Sequence, residues 1–166
     1  MEEKLHTELF NAIKLLNAKH LTDSDKNDLL NLFNGTKNHA IRNQIALIFS
    51  DSHYNAAIPF IIKKINDEDL YNRNGTLVYA LEGLDSLAYY VDVIKIICEQ
   101  GYEARLMAYS IAEKLSGSIS TDVKETSLGV LESYHLKQPE IDDADYKDST
   151  LHFIESTQKL LLNSLK

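Results

Sequence analysis

Tryptophan is absent from this chain of 166 residues, which also has one cysteine, two prolines and six glycines. A single thiol, Cys98, excludes an internal disulfide and a multi-cysteine metal centre. With only Pro59, Pro139 and few glycines as breakers, long stretches are free to be helical. No apolar run approaches the ~20 residues that a spanning helix needs. The opening Met1-Glu2-Glu3-Lys4 lacks the basic stretch and apolar run of a secretion signal. The expectation is a reduced, cytoplasmic protein. Positive charge is also short, since 17 Lys and Arg against 25 Asp and Glu give a net charge of −8. Phosphates demand a basic stripe, so nucleic acid is not an expected partner, and an anionic membrane surface is disfavoured likewise. The count is ten acids to seven bases over residues 38–117 and nine to five over 118–166. Such a chain suits a cationic protein partner.

Catalytic patterns are missing too. There is no Gly-x-Ser-x-Gly, no phosphate loop and no dinucleotide fingerprint. His6, His20, His39, His53, His135 and His152 form no His-x-x-x-His pair, and isolated histidines seldom ligate without convergent partners. Cys98 sits in the most apolar stretch, which suits a buried inert thiol better than a nucleophile. No catalytic residue, metal or cofactor is therefore expected.

What is present is helical periodicity. Apolar residues recur at 3–4 spacing over residues 3–18, 38–50, 54–66, 70–84, 102–115, 121–135 and 149–165. Thr22 and Asp25 form a variant capping box that opens a short helix through Phe33, and Asn34-Gly35 stops it. Residues 87–99 are apolar nearly all round, as a central helix would be. Asn74-Gly75 is unexpected inside a helical stretch, because this pair favours turns. The fold class is all-α, with about eight helices in one domain.

Two arginines mark a repeat. Asp67 lies six residues before Arg73, and Glu99 six before Arg105. Arg42, Arg73 and Arg105 are 31 and 32 residues apart. A period in the thirties with a helix–turn–helix in each unit marks a stacked helical repeat. The units resemble HEAT repeats, which carry a proline in the second helix, an aspartate eight residues later, and a valine–arginine pair just beyond. Pro59, Asp67 and Arg73 match this spacing, with Asn72 in place of the valine. The next unit keeps Glu99 and Ala104-Arg105 but has Val91 for the proline. The earlier unit keeps Ile41-Arg42 but has Thr36 at the acid position.

The resemblance covers residues 38–117. It implies a short right-handed superhelical stack of antiparallel helix pairs, with residues 1–37 as N-terminal capping helices. Residues 118–166 would be C-terminal helices interrupted by an acidic loop at 138–148. In such a stack Asp67, Arg73, Glu99 and Arg105 would form a structural ladder that fixes the stacking angle, the guanidinium fork suiting this better than an amine. The alternative is two unrelated exposed ion pairs of little consequence.

Candidate contact residues come from charge and aromatics. The acids of the 138–148 loop, including Asp142, Asp143 and Asp145, lack the glycine and final glutamate of a calcium loop. They are a solvated connector or an anionic docking patch. Seven of nine tyrosines fall between Tyr54 and Tyr109, as packing between helices or as a binding face. Asp92, Glu99 and Tyr89 are the candidates on the repeat surface. By analogy of size and charge, the expected function is a non-catalytic protein-binding module. Most specifically it would be an immunity protein that neutralises a basic bacterial toxin domain of the contact-dependent-inhibition type. The alternatives are a general scaffold or adaptor, or a HEAT-like enzyme or accessory such as a DNA glycosylase-like or lyase-like protein.

Overall fold

The computed structural model describes residues 2–71, 73–138 and 148–163. These hold nine α-helices and no strand, one helix more than expected. They are α1 (Glu2–Lys14), α2 (Asp23–Gly35), α3 (His39–Asp51), α4 (Ile58–Ile65), α5 (Gly75–Glu82), α6 (Tyr90–Glu99), α7 (Tyr102–Leu115), α8 (Thr121–His135) and α9 (Thr150–Asn163). Short 3-10 turns at Ala18–His20, Asn55–Ala57, Glu68–Leu70 and Leu87–Tyr89 join several of them. These turns shorten α4, α5 and α6 relative to the expected stretches. No described helix is long and apolar enough to cross a membrane.

Side chains start the helices where the sequence supplies an acceptor. The Thr22 backbone N–H donates to Asp25 at 2.8 Å while Asp25 N–H donates to Thr22 Oγ1 at 3.2 Å, so two donors that α2 leaves unpaired are satisfied reciprocally. Hydrogen bonding to Thr22 holds the Asp25 carboxyl below its ordinary pKa. Asn38 Oδ1 accepts from the N–H groups of Ala40 and Ile41 and opens α3. Pro59 stands in the first turn of α4, where its missing N–H costs little.

The odd-numbered helices contact one another in succession, α1 on α3, α3 on α5, α5 on α7 and α7 on α9. The even-numbered helices α2, α4, α6 and α8 each lie on the odd helix that follows, and α6 also meets α8 and α9. By contrast α2 makes no extensive contact with α1 or with α4. The buried positions repeat. Ile45, Ala46, Ile48 and Phe49 of α3 recur 32 residues on as Leu77, Val78, Ala80 and Leu81 of α5, all buried. Ile58, Ile61, Ile62 and Ile65 of α4 recur at the same interval as Tyr90, Val93, Ile94 and Ile97 of α6. From α5 to α7 the interval drops to 31, aligning Leu77, Ala80 and Leu81 with Ala108, Ile111 and Ala112. Helices approach closely at Gly83, where a Cβ would come within 2.1 Å of Ser50 Oγ.

Candidate functional site

The register of the core changes the identity of the repeated polar residue. At 32 residues from Arg42 and 31 before Arg105 stands Asn74, not Arg73. Arg42, Asn74 and Arg105 are 3%, 1% and 7% exposed, whereas Arg73 is exposed. Buried polar groups are generally paired; each of these three donates hydrogen bonds to neighbouring groups, while Asn74 Oδ1 has no partner among the described residues. Arg105 Nε donates to Ile97 O at 3.0 Å and its Nη2 to Gln100 O at 2.7 Å, satisfying carbonyls at the end of α6. Asn74 Nδ2 donates to Ile65 O at 3.0 Å, the corresponding carbonyl at the end of α4, and to Gln100 Oε1 at 2.6 Å just after α6. Arg42 Nη2 reaches Arg73 O at 3.0 Å, 31 residues on. Desolvation lowers the pKa of both guanidiniums from the ordinary arginine value, and at Arg42 the charge of Asp67 opposes it.

The expected ladder is thus differently wired. Among the described residues no ion pair joins Asp67 to Arg73 or Glu99 to Arg105. Asp67 is exposed, caps the 3-10 turn at Glu68–Leu70 by accepting from Asp69 N–H at 3.2 Å, and acts electrostatically on Arg42. Glu99 accepts a hydrogen bond from the Tyr134 hydroxyl. That bond pushes the Tyr134 pKa up to about 12, because the donor form is favoured. The turn chemistry of Asn74-Gly75 is also explained. Asn74 precedes α5 with its amide turned inward, and Gly75 leaves room for Glu103, whose Oε2 would lie 3.1 Å from an added Cβ.

The other surface candidates do not converge. Asp92 is paired with Lys95 at 3.4 Å on the same helix. Tyr89 is half-buried against the core rather than presented as an anchor. Among the described residues Tyr71, Tyr79 and Tyr102 are the exposed tyrosines, at 53%, 53% and 45%, while Tyr90 is fully buried with its hydroxyl donating to Ala112 O. Asp142, Asp143 and Asp145 lie outside the described residues.

Two grooves flank α2 where it stands apart from its neighbours. The first, between α1, the following turn and α2, encloses about 470 Å³ and is mainly apolar, lined by Leu9, Ile13, Leu16, Leu21, Leu29 and Leu32. Asp25, Asp28 and His20 stand at its border. Leu16 is 41% exposed there, and the neighbouring Leu15 is 85% exposed. The second, between the end of α2 and the end of α4, carries Lys37, Lys63 and Lys64 with Phe60. Nothing in the apolar periodicity pointed to either groove, because both arise between helices that make no extensive contact.

No group of three or more His, Cys, Asp or Glu suited to a metal ion occurs among the described residues. Cys98 is 7% exposed. Burial, then the neighbouring Glu99 charge, pushes its thiol up to about 12, with Arg105 opposing. The raised value means that its contribution to stability is present below the ordinary value of 9.0 and is lost as pH rises through about 12. At pH 8 Cys98 should therefore resist a thiol reagent in the native protein and react fully in urea. Rapid labelling of the native protein would show an accessible thiolate instead.

Comparison of the chain with protein-family models, with curated proteins and with solved structures finds no match in any of the three.

Proposed function

We propose that the chain is a non-catalytic protein-binding module, an immunity protein that covers a basic bacterial toxin domain of the contact-dependent-inhibition type. The observation that carries this reading is the apolar groove between α1 and α2, bordered by Asp25 and Asp28 on a chain of net charge −8. Apolar surface that stays exposed and is edged by charge is the usual anatomy of a partner site. Carboxylates at its border and across the chain accelerate encounter with a cationic partner and fix its orientation. Capture of a toxin needs no chemistry from this chain, only coverage of the toxin's working surface. The fold underneath is read as a short right-handed stack of HEAT-like helix pairs, supported by the 32- and 31-residue register of buried positions. Its N-terminal end carries the groove.

Producing the chain should restore growth to cells that make a cognate basic toxin domain. The double variant Leu16→Asp/Asp28→Lys, which alters two exposed groove positions, should not protect. Killing that is equal with and without the unaltered chain contradicts the immunity reading. A second reading, a general adaptor, is favoured by one observation, the oppositely charged groove on the other side of α2.

A further inference from the structure

We propose that the groove between α2 and α4 is a docking site for an acidic segment of a partner protein. Two contiguous cavities of about 630 and 380 Å³ meet there, sharing Asn34, Lys64 and Asp67. The groove exists because α2 and α4 both lean on the odd-numbered layer without packing on each other. Three accessible cations, Lys37, Lys63 and Lys64, line it against two acids, Asp67 and Asp69, while Arg42, which also lines it, is buried. That excess is opposite in sign to the chain as a whole. The ion pairs Lys4–Glu8, Lys26–Asp23, Lys95–Asp92 and His135–Glu155 lie elsewhere. Among the described residues Lys37, Lys63 and Lys64 have no carboxylate partner within 4.0 Å.

Two roles compete for these lysines. Lys63 and Lys64 end α4 and complement its dipole, which explains a cation on the helix but not its convergence with Lys37 from another element. Phe60 lies beside Lys63 and is 37% exposed, so an apolar contact adjoins the charges. An occupant with two or three carboxylates beside one aliphatic or aromatic side chain matches both features. Asp67 and Asp69 limit the attraction to a short run of acids. A nucleic acid fits less well, because its phosphates would continue past the groove on a chain of net charge −8.

Arg42 is held by Asn43 Oδ1 and Arg73 O and is left unaltered in the test. The probe is a fluorescent peptide of about ten residues that alternates Glu or Asp with Leu, and the control replaces its acids with Lys. By anisotropy at low salt, the acidic peptide should bind and the basic control should not displace it. The variant Lys63→Glu/Lys64→Glu should weaken binding about tenfold or more, with an unchanged circular dichroism spectrum. Phe60→Ala, at a partly exposed position, should weaken it about threefold. The proposal is overturned by no binding at about 1 mM peptide, or by equal affinity for the unaltered protein and the double lysine variant. It is also overturned if a single-stranded RNA probe binds while the peptide does not. Leu16→Asp/Asp28→Lys should leave peptide binding unchanged, which separates this groove from the one between α1 and α2.

Discussion

Replacing Arg105 with alanine should lower stability by about 2–4 kcal/mol, whereas replacing Arg73 should cost less than about 0.5 kcal/mol. Arg105 is buried and gives two charge-assisted bonds, to Ile97 O and Gln100 O. Without the guanidinium both carbonyls are left at the end of α6 in a site that water enters poorly. The stacked ring of Phe153, 5.8 Å from the guanidinium carbon, also loses its cation. Relief of the guanidinium's own desolvation offsets part of this, which keeps the estimate below the sum of two charged hydrogen bonds. Lysine at position 105 should recover less than half of the loss, since one amine cannot match the fork. Asn74→Ala should fall between the two, at about 1–3 kcal/mol. Its amide makes two neutral-donor bonds, and its own Oδ1 has no partner among the described residues. Urea midpoints should move by about 1–2 M for Arg105→Ala at a slope typical of this size. Equal midpoints for Arg73→Ala and Arg105→Ala would mean that the arginine spacing, not the buried register, orders the helix packing.

Leu16→Asp/Asp28→Lys should weaken the proposed complex with a basic toxin domain about 100-fold while leaving the fold intact. The first change puts a charge against the apolar lining contributed by Leu9, Ile13 and Leu29. Desolvating that charge under a partner is costly, and the partner's apolar side chain loses its contact. The second change reverses the border charge that faces the partner's cations, so encounter slows as well. Both side chains are exposed in the free chain, so neither substitution opens a cavity in the core.

Much of the helical architecture was legible because breakers are rare and apolar spacing is regular. The Thr22–Asp25 capping box and the span Tyr102–Leu115 stand where the sequence placed them. The 3-10 turns were not legible, since residues 55–57 and 87–89 continue the apolar pattern of the helices that follow. The ladder was misassigned by one residue for a physical reason. Arginine is the visible repeat, but the core fixes the phase, and counting Ile45 to Leu77 and Phe49 to Leu81 puts Arg42 opposite Asn74. An asparagine can replace an arginine there because the carbonyl of Ile65 is close enough for a short side chain to reach. The grooves beside α2 depend on which helices pack only loosely on one another, and local periodicity holds no information about that. Charge gave the sign of the expected partner, yet it could not show that cations collect between α2 and α4.

The most direct measurement is the association rate of the chain with a basic toxin domain whose killing it suppresses, followed by stopped flow at low and high salt. If acidic surface steers encounter and the groove between α1 and α2 anchors the complex, the rate should fall about tenfold between about 0.05 and 0.5 M salt. The Leu16→Asp/Asp28→Lys variant should then dissociate far faster than the unaltered chain at both salt concentrations. A rate independent of salt, with dissociation unchanged in the variant, would contradict a carboxylate-edged groove as the binding surface.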